Sequence, residues 1–256
     1  MKRDVKKMYN LPLEVKFCKK CTVSNQRPRI TFDEHGVCSA CNFAEYKRSK
    51  IDWDQREKEL VDLCDRYRKD GKEYDCLVPG SGGKDSFFAA HILKYKYGMH
   101  PLTVTWAPHI YTEWGFKNFH AWLSAGFDNY LMTPNPRVHR LMTRLAVENL
   151  FHPFQPFMFG QKALAPRIAS LLNIPLVFFG ENEAEHGNPI ADNLTSIRKA
   201  HYFAVKSKNK IRLGGVLIKD LINNYGISNK DLEIFLPIKF DEIYKNNLEV
   251  HYLGYY

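Results

Sequence analysis

The run Ser81-Gly82-Gly83-Lys84-Asp85-Ser86 contains the residue types and spacing in this 256-residue chain that best suit chemistry. The preceding residues, Tyr74–Pro79, form a short apolar stretch after a polar turn and predict a β-strand. The residues from Lys84 to about Tyr97 predict a helix. Backbone N–H groups and the positive end of a helix converge at such a turn, and its glycines let phosphate oxygens approach. The sequence therefore predicts an anion site here.

Two common phosphate motifs do not fit this turn. A Walker A loop would need glycine at Val78 and serine or threonine at Asp85. A dinucleotide fingerprint started at Gly80 would need glycine at Asp85. The run resembles instead, letter for letter, the SGGxDS loop of the ATP pyrophosphatase superfamily. Known members include GMP synthetase, NAD synthetase, asparagine synthetase, argininosuccinate synthetase and the tRNA thiolases.

This resemblance implies that ATP is cleaved between its α and β phosphates and that AMP is transferred to a substrate oxygen. The pyrophosphate would rest on Pro79, Gly80 and the Ser81–Ser86 loop, with the hydroxyls of Ser81 and Ser86 as contacts. Lys84 would neutralise charge, and Asp85 would hold Mg²⁺ or position a phosphate contact. Lys84 and Asp85 are thus candidate catalytic residues.

The pattern of elements along the rest of the chain favours one fold class. Strands alternate with helices, which predicts an α/β fold with a doubly wound parallel sheet and ligands at the carboxyl ends of the strands. Further strands are expected at Leu102–Trp106, Tyr130–Met132 and Leu176–Gly180, and helices at Trp114–Ala125, Arg137 to about Phe151, Phe157–Asn173 and Leu213–Tyr225. Leu248–Tyr256 reads as a strand or a partly buried tail.

Two short segments are further candidates for nucleotide contacts. In the superfamily the second strand receives adenine at its end, which makes Val104, Thr105 and Trp106 candidates by resemblance; a plain core role is the alternative for Trp106. Gly160, Gln161 and Lys162 could reach phosphate or substrate, with solvation as the alternative for the two polar side chains.

An acidic segment follows the fourth strand. It reads Gly180-Glu181-Asn182-Glu183-Ala184-Glu185-His186-Gly187 and would face the same crevice as the Ser81–Ser86 loop. Because Mg²⁺ prefers carboxylate and phosphate oxygens, Glu181 and Glu185 join Asp85 as candidate magnesium ligands. Gly180, Glu181 and Asn182 are candidate ATP contacts and Glu185 a candidate catalytic residue; an ordinary solvated acidic loop is the alternative.

Four cysteines form two CxxC pairs near the N-terminus. Cys18 and Cys21 are separated from Cys38 and Cys41 by 16 residues, a spacing typical of a zinc ribbon. A short strand and a turn in the spacer predict a hairpin between the pairs. An iron–sulfur cluster would use the same thiols, and disulfides would need an oxidising compartment. We favour structural Zn²⁺. With four protein ligands the ion would have no open position for catalysis.

The composition restricts the class of protein but does not indicate a function. The chain is 45% hydrophobic and 25% charged, as expected of a soluble globular protein, and its apolar runs are too short to span a membrane. The first residues lack the apolar core of a secretory signal, so we expect a cytoplasmic protein. A formal charge of +9 would suit nucleic acid or a phosphorylated small molecule, but the basic residues are interspersed with acidic ones. Cys64 and Cys76 are expected to be small buried hydrophobic residues.

The ribbon, the Ser81–Ser86 loop and the Gly180–Asn182 segment together resemble the N-acetyl sugar amidotransferase family. That resemblance implies adenylation of an acetamido oxygen, free or nucleotide-linked, and displacement of AMP by ammonia to give an acetamidino sugar for surface glycans. Ammonia would come from solution or from a separate glutaminase partner. Family members usually extend further than this chain, which leaves the sugar contacts open. The expected organisation is a zinc ribbon in 1–50, an ATP pyrophosphatase domain in 51–205 and a C-terminal extension in 206–256.

Two other functions fit part of the sequence. tRNA thiolation shares the loop and would use the positive charge, but the segment His152–Phe157 lacks the CxxC common in those enzymes, and no cysteine follows Cys76. A non-enzymatic zinc-ribbon module would leave the Ser81–Ser86 loop unexplained.

Overall fold

The computed structural model describes residues 4–69, 71, 73–181 and 190–256. The helices are α1 (Val5–Met8), α2 (Ser39–Ser49), α3 (Trp53–Tyr67), α4 (Lys84–Tyr95), α5 (Glu113–Leu123), α6 (Pro136–Leu150), α7 (Gln155–Leu171), α8 (Ile218–Tyr225), α9 (Asn229–Glu233) and α10 (Phe240–Lys245). The strands are β1 (Cys76–Pro79), β2 (Pro101–Trp106), β3 (Asp128–Met132), β4 (Leu176–Phe179), β5 (Ala204–Val205), β6 (Arg212–Leu213), β7 (Val216–Leu217), β8 (Ile238–Lys239) and β9 (Glu249–Tyr252). None of these helices combines the length and apolar character that a bilayer crossing requires.

The central sheet has five strands in the order β3-β2-β1-β4-β9, all of them parallel. The fold class predicted from the sequence, a doubly wound α/β sheet, is confirmed by this order. The chain builds β1, β2 and β3 outward to one side and then crosses to β4 on the other side of β1. The boundary between β1 and β4 is therefore the topological switch point, where open α/β sheets bind ligands at the carboxyl ends of the strands.

The inner strands of the sheet are buried on both sides because helices cover both of its faces. Every residue of β2 is buried. Alternate residues such as Leu102 and Val104 belong to the main apolar cluster, which includes residues of α6 and α7. The residues between them point to the opposite face, and α4 packs against β1, β2 and β4. The central strands can therefore present only their ends to a ligand.

Internal contacts divide the chain into two compact units. By internal contacts, residues 4–59, 190–196 and 254–256 form one compact unit, and the described residues from 60 to 181 and from 197 to 253 form another. Residues 206–253 are thus part of the unit that holds the sheet, because β9 pairs with β4 in parallel and Leu221, Leu232 and Ile238 lie in its core.

One predicted helix is only partly present. The sequence predicted a helix over Leu213–Tyr225, but the helix begins at Ile218 and is preceded by the antiparallel pair β6 and β7. Gly214 and Gly215 form the tight turn between those strands with positive φ angles of 60° and 78°. Two consecutive residues in this left-handed region interrupt an α-helix and suit a two-residue hairpin turn.

Candidate active site and metal centre

The Ser81–Ser86 loop connects the carboxyl end of β1 to the N-terminus of α4. Gly80 N–H donates to the Val104 carbonyl at 2.9 Å, so the chain leaves β1 still aligned with β2. α4 then begins at Lys84 with Gly83 as its N-cap. The first N–H groups of a helix lack partners within the helix, and glycine has no side chain to cap them. This end of α4 can therefore receive hydrogen-bond acceptors such as phosphate oxygens.

The second glycine of the loop is fixed by two constraints. Gly82 has a φ of +86°, and a β-carbon built there would lie 2.3 Å from the backbone carbonyl oxygen of Asn118 in α5. No described atom lies within 4 Å of a β-carbon built on Gly83. The loop is thus packed closely on one side and open on the other.

The charged side chains of the loop lie on its accessible surface. Lys84 Nζ lies 2.6 Å from Asp85 Oδ1, and these side chains are 88% and 47% exposed. Ser81 is also exposed, whereas Ser86 is half-buried and its hydroxyl donates to the Gly83 carbonyl. An exposed ion pair contributes little to stability, so a phosphate group could compete for Lys84 and a cation for Asp85.

The carboxyl end of β4 meets the loop at the switch point. A β-carbon built on Gly180 would lie 3.0 Å from the Asp85 carbonyl oxygen. Glu181 comes next and is exposed. The structure therefore brings Gly180 next to Asp85. Asn182 and Glu185 lie outside the described residues.

The candidates at the end of β2 have no exposed side chains. Val104, Thr105 and Trp106 are buried, and Asn129 Nδ2 donates to Thr105 Oγ1 at 3.0 Å. The Trp106 indole packs edge-on against Phe235 with ring centroids 5.3 Å apart. The structure therefore shows the core role for the Trp106 side chain, and a nucleotide could use only the backbone of these residues.

Gly160 makes room for that indole. A β-carbon built on Gly160 would lie 2.2 Å from the Trp106 ring. The contact that the structure shows for this glycine is therefore packing within the core. On the same helix, α7, Gln161 is exposed and Lys162 is half-buried.

Three residues that the sequence analysis missed lie near the carboxyl ends of the strands. The Arg198 guanidinium lies 4.6 Å from the centre of the Phe179 ring, where β4 ends, and adds a buried positive charge. His109 follows β2 by three residues, and its ring lies 4.1 Å from that of His139 in α6. The position of His109 just after a buried strand was an available signal, whereas its partner could be found only from the fold.

The four N-terminal cysteines form a second candidate site, the cysteine cluster. The sulfur atoms of Cys18, Cys21, Cys38 and Cys41 all lie within 4.8 Å of one another. Cys21 and Cys38 are 3.6 Å apart, close to the roughly 3.8 Å between two sulfurs bound tetrahedrally at about 2.3 Å to one zinc ion. The cluster therefore has the donors and spacing that Zn²⁺ requires.

Hydrogen bonds in the cysteine cluster favour a thiolate at Cys18. The backbone N–H groups of Lys20 and Cys38 donate to its sulfur at 3.3 and 3.2 Å. Burial acts to raise the pKa of Cys18, but these donors outweigh it and lower that pKa to about 6. The pKa of Cys41 rises to about 12, because of its hydrogen bond with Cys21 and then burial. Thiolates this close together repel one another, and a divalent cation bound among them would offset that repulsion.

The expected hairpin between the cysteine pairs is present in short form. Phe32 and Cys38 form an antiparallel bridge, and the Gly36 N–H donates to the Asp33 carbonyl in the turn between them. Asp33 Oδ1 accepts from the backbone N–H groups of His35 and Val37, which fixes the turn. The two remaining cysteines, Cys64 and Cys76, are fully buried as expected.

Comparisons with known proteins give distant likenesses. No protein-family model matches the chain. An uncharacterized protein of Methanocaldococcus jannaschii is 29% identical over 90 residues, covering 33% of this chain and 31% of that protein, so the chain matches about a third of its relative's length.

Two solved structures are also similar to the chain. The crystal structure of a predicted tRNA methyltransferase subunit from M. jannaschii has 15% identity and a TM-score of 0.34, covering 69% of this chain and 67% of the other. The NH3-dependent NAD synthetase of Campylobacter jejuni has 13% identity and a TM-score of 0.41, covering 77% and 96%. These values assign no activity to the chain.

Proposed function

We propose that this chain is an ATP pyrophosphatase-type amidotransferase that releases AMP and pyrophosphate and acts on an acetamido sugar. The observation that carries the proposal is the Ser81–Ser86 loop, whose sequence matches SGGxDS and which lies at the switch point between β1 and β4. A strand end, a glycine-rich turn and an uncapped helix N-terminus are the parts that a pyrophosphate site needs.

The first step uses the substrate oxygen as nucleophile. The acetamido oxygen attacks the α-phosphorus of ATP, the bond to the bridging oxygen of pyrophosphate breaks, and pyrophosphate leaves with that electron pair. N–H groups at the start of α4 and the Lys84 ammonium would hold the departing anion. Fixed donors of this kind stabilise developing charge because they need no reorganisation during the reaction.

The second step replaces the activated oxygen by nitrogen. Ammonia adds to the carbon that bears the adenylate, and the carbon–oxygen bond then breaks so that AMP leaves with the electron pair. The product is an amidine. Adenylation is needed because an amide oxygen is by itself a very poor leaving group. Ammonia would come from solution or from a separate glutaminase.

The candidate magnesium ligands carry carboxylate oxygens, which Mg²⁺ prefers as ligands. Asp85 offers a half-exposed carboxylate at the start of α4, and Glu181 offers another after β4; Glu185 lies outside the described residues. When Mg²⁺ is bound to substrate phosphates, the protein usually supplies only one or two carboxylates as ligands. When bound, the ion would offset phosphate charge.

Zinc has a structural role in this proposal. Four cysteine ligands complete a tetrahedral shell and leave no position for substrate. The cysteine cluster would therefore stabilise the N-terminal segment and take no part in ATP chemistry. We also propose a cytoplasmic location, where the thiols would stay reduced.

The test supplies the purified protein with ATP, Mg²⁺, ammonium and nucleotide-linked acetamido sugars. Free acetamido sugars and bulk tRNA are run in parallel. The proposal predicts AMP, pyrophosphate and a sugar product with one oxygen replaced by NH. AMP formation with tRNA alone would replace the proposal by RNA modification.

A matched pair of lysine variants shows whether the loop performs this reaction. Lys84→Ala removes the proposed phosphate contact and should lower AMP formation by about 100-fold. Lys117→Ala removes another exposed ion pair, with Glu113, on α5 and should leave the rate unchanged. Equal rates for the two variants would contradict the role of Lys84.

A further inference from the structure

His109 and His139, here called the histidine pair, lie near the carboxyl ends of the strands of the central sheet. His109 follows β2, and His139 belongs to the second turn of α6, the helix after β3. β2 is the neighbour of β1, and Pro79 at the end of β1 pairs with Val104 near the end of β2. The histidine pair is therefore at the same edge of the sheet as the Ser81–Ser86 loop.

The two imidazole rings are in contact in a tilted arrangement and differ in exposure. Their centroids are 4.1 Å apart with an interplanar angle of 34°. His139 is only 5% exposed, whereas His109 is exposed to solvent. The inner ring can thus hold the outer ring in position, and the outer ring remains accessible to a small molecule.

Polar atoms beside the histidine pair lack partners within the protein. Among the residues that the structure describes, neither His139 Nε2 nor Trp106 Nε1 has a hydrogen-bond partner, although both atoms are buried. Trp106 lies edge-on to His139 with ring centroids 6.3 Å apart. A buried polar atom without a partner is costly. One donor and one potential acceptor in this position suit a small polar ligand.

The surroundings of the histidine pair are aromatic. Phe154 and Phe157 lie 6.1 and 5.5 Å from His109, and Phe235 lies 5.5 Å from His139. Aromatic faces attract a small cation. An environment of low polarity also favours the neutral form of an amine over its charged form.

Both rings are weaker bases than a free imidazole and keep a neutral form at neutral pH. Burial, and to a smaller extent the charge that His109 can carry, lower the pKa of His139 to about 4. Burial also lowers the pKa of His109. At neutral pH both imidazoles are therefore uncharged and have a free lone pair on one nitrogen.

We propose that the histidine pair is the site where the nitrogen nucleophile loses its proton, with His109 as the catalytic base and His139 as the positioning residue. This inference rests on the proposed amidotransferase function. Ammonium gives a proton to an imidazole nitrogen of His109 and keeps its electron pair on nitrogen. That pair forms the carbon–nitrogen bond to the adenylated acceptor, AMP leaves with the electrons of the carbon–oxygen bond, and His109 returns the proton to water.

The experiment compares two nucleophiles in the intact protein. Ammonium must be deprotonated before it can attack, whereas hydroxylamine is largely unprotonated at neutral pH. His109→Asn removes the base, and His139→Phe keeps an aromatic ring beside His109 but removes the ring nitrogens. His120→Asn is the control, because His120 lies in another aromatic contact, 4.2 Å from Phe116.

We expect His109→Asn to lower turnover with ammonium by about 100-fold and with hydroxylamine by less than about 5-fold, since general base catalysis contributes about 100-fold or more. His139→Phe should show the same selectivity with a smaller loss, and His120→Asn should match the unmodified protein. Pyrophosphate exchange into ATP should continue in all variants, which shows that the proteins are folded and adenylate their substrate.

Equal losses with both nucleophiles, or no loss in His109→Asn, would overturn the assignment while leaving the proposed function in place. If the unmodified protein forms no amidine and no hydroxyamidine from any acetamido sugar, the proposed function fails first, and the assignment fails with it. Measuring the unmodified protein with both nucleophiles separates these two results.

Discussion

Gly180 lies so close to Asp85 that a β-carbon on the glycine would stand 3.0 Å from the Asp85 carbonyl oxygen. Gly180 follows β4, and Asp85 lies in the first turn of α4, which follows β1. The contact therefore joins the ends of the two strands that flank the switch point. Glu181, the next residue along the chain, is exposed.

This arrangement predicts how two carboxylates affect the need for Mg²⁺. Asp85→Asn and Glu181→Gln should each raise the Mg²⁺ concentration required for half-maximal AMP formation, because each removes a charged oxygen ligand. Titration of AMP formation with Mg²⁺ measures the change. Glu113→Gln serves as the control, since Glu113 pairs with Lys117 on the surface of α5. An unchanged titration in both variants would exclude these carboxylates as ligands.

The two central glycines of the loop should differ in their tolerance of a methyl group. Gly82→Ala combines a positive φ with a clash against the Asn118 carbonyl, and should lower the free energy of unfolding by about 2–4 kcal/mol. Gly83→Ala adds a methyl group in open space at a φ of −67°, and should lower it by less than about 1 kcal/mol. Urea denaturation of both variants gives the comparison, and equal values would contradict the packing of the loop on α5.

Much of the sheet could be predicted from local patterns, because buried parallel strands are short apolar runs between helices. The prediction for Leu213–Tyr225 failed at its start, where Gly214 and Gly215 form a hairpin turn that outweighs the apolar pattern. The place of residues 206–253 in the unit that holds the sheet could not be predicted, for a different reason. The pairing of β9 with β4 joins residues far apart in sequence, which no local pattern records.

In the candidate site, too, some features could be predicted from consecutive residues and others depend on residues that are distant in sequence. The Ser81–Ser86 loop was identified because all its residues are consecutive. The core position of the Trp106 side chain depends on Gly160 and Phe235, which are distant in sequence. The sequence offered a signal for His109, which follows a buried strand, but its contact with His139 depends on the fold.

The cysteine cluster should bind one zinc ion per chain. Cys18→Ser should reduce bound zinc and lower the thermal stability of the N-terminal segment, because three remaining thiols do not complete the shell. Cys64→Ala is the matched control, since burial raises the pKa of Cys64 to about 12 and its side chain lies in α3. Metal analysis of both proteins is the measurement. Loss of zinc from Cys64→Ala alone would contradict the assigned ligands.

Gly160→Ala tests whether this glycine acts in packing or in nucleotide binding. A β-carbon 2.2 Å from the Trp106 ring must displace the indole, so we expect a loss of about 2 kcal/mol or more in unfolding free energy. Tryptophan fluorescence should change with it. Gln161→Ala, one residue away and exposed, should change neither property. A stable Gly160→Ala protein that no longer binds ATP would instead favour a direct nucleotide contact.

Identifying which phosphate bond of ATP is broken tests the central claim most directly. The measurement separates the nucleotide and phosphate products after incubation with Mg²⁺, ammonium and an acetamido sugar. The proposed function predicts AMP and pyrophosphate in equal amounts, formed only when the acceptor is present and lost in Lys84→Ala. Formation of ADP and inorganic phosphate would contradict the assignment of the Ser81–Ser86 loop as a pyrophosphate site.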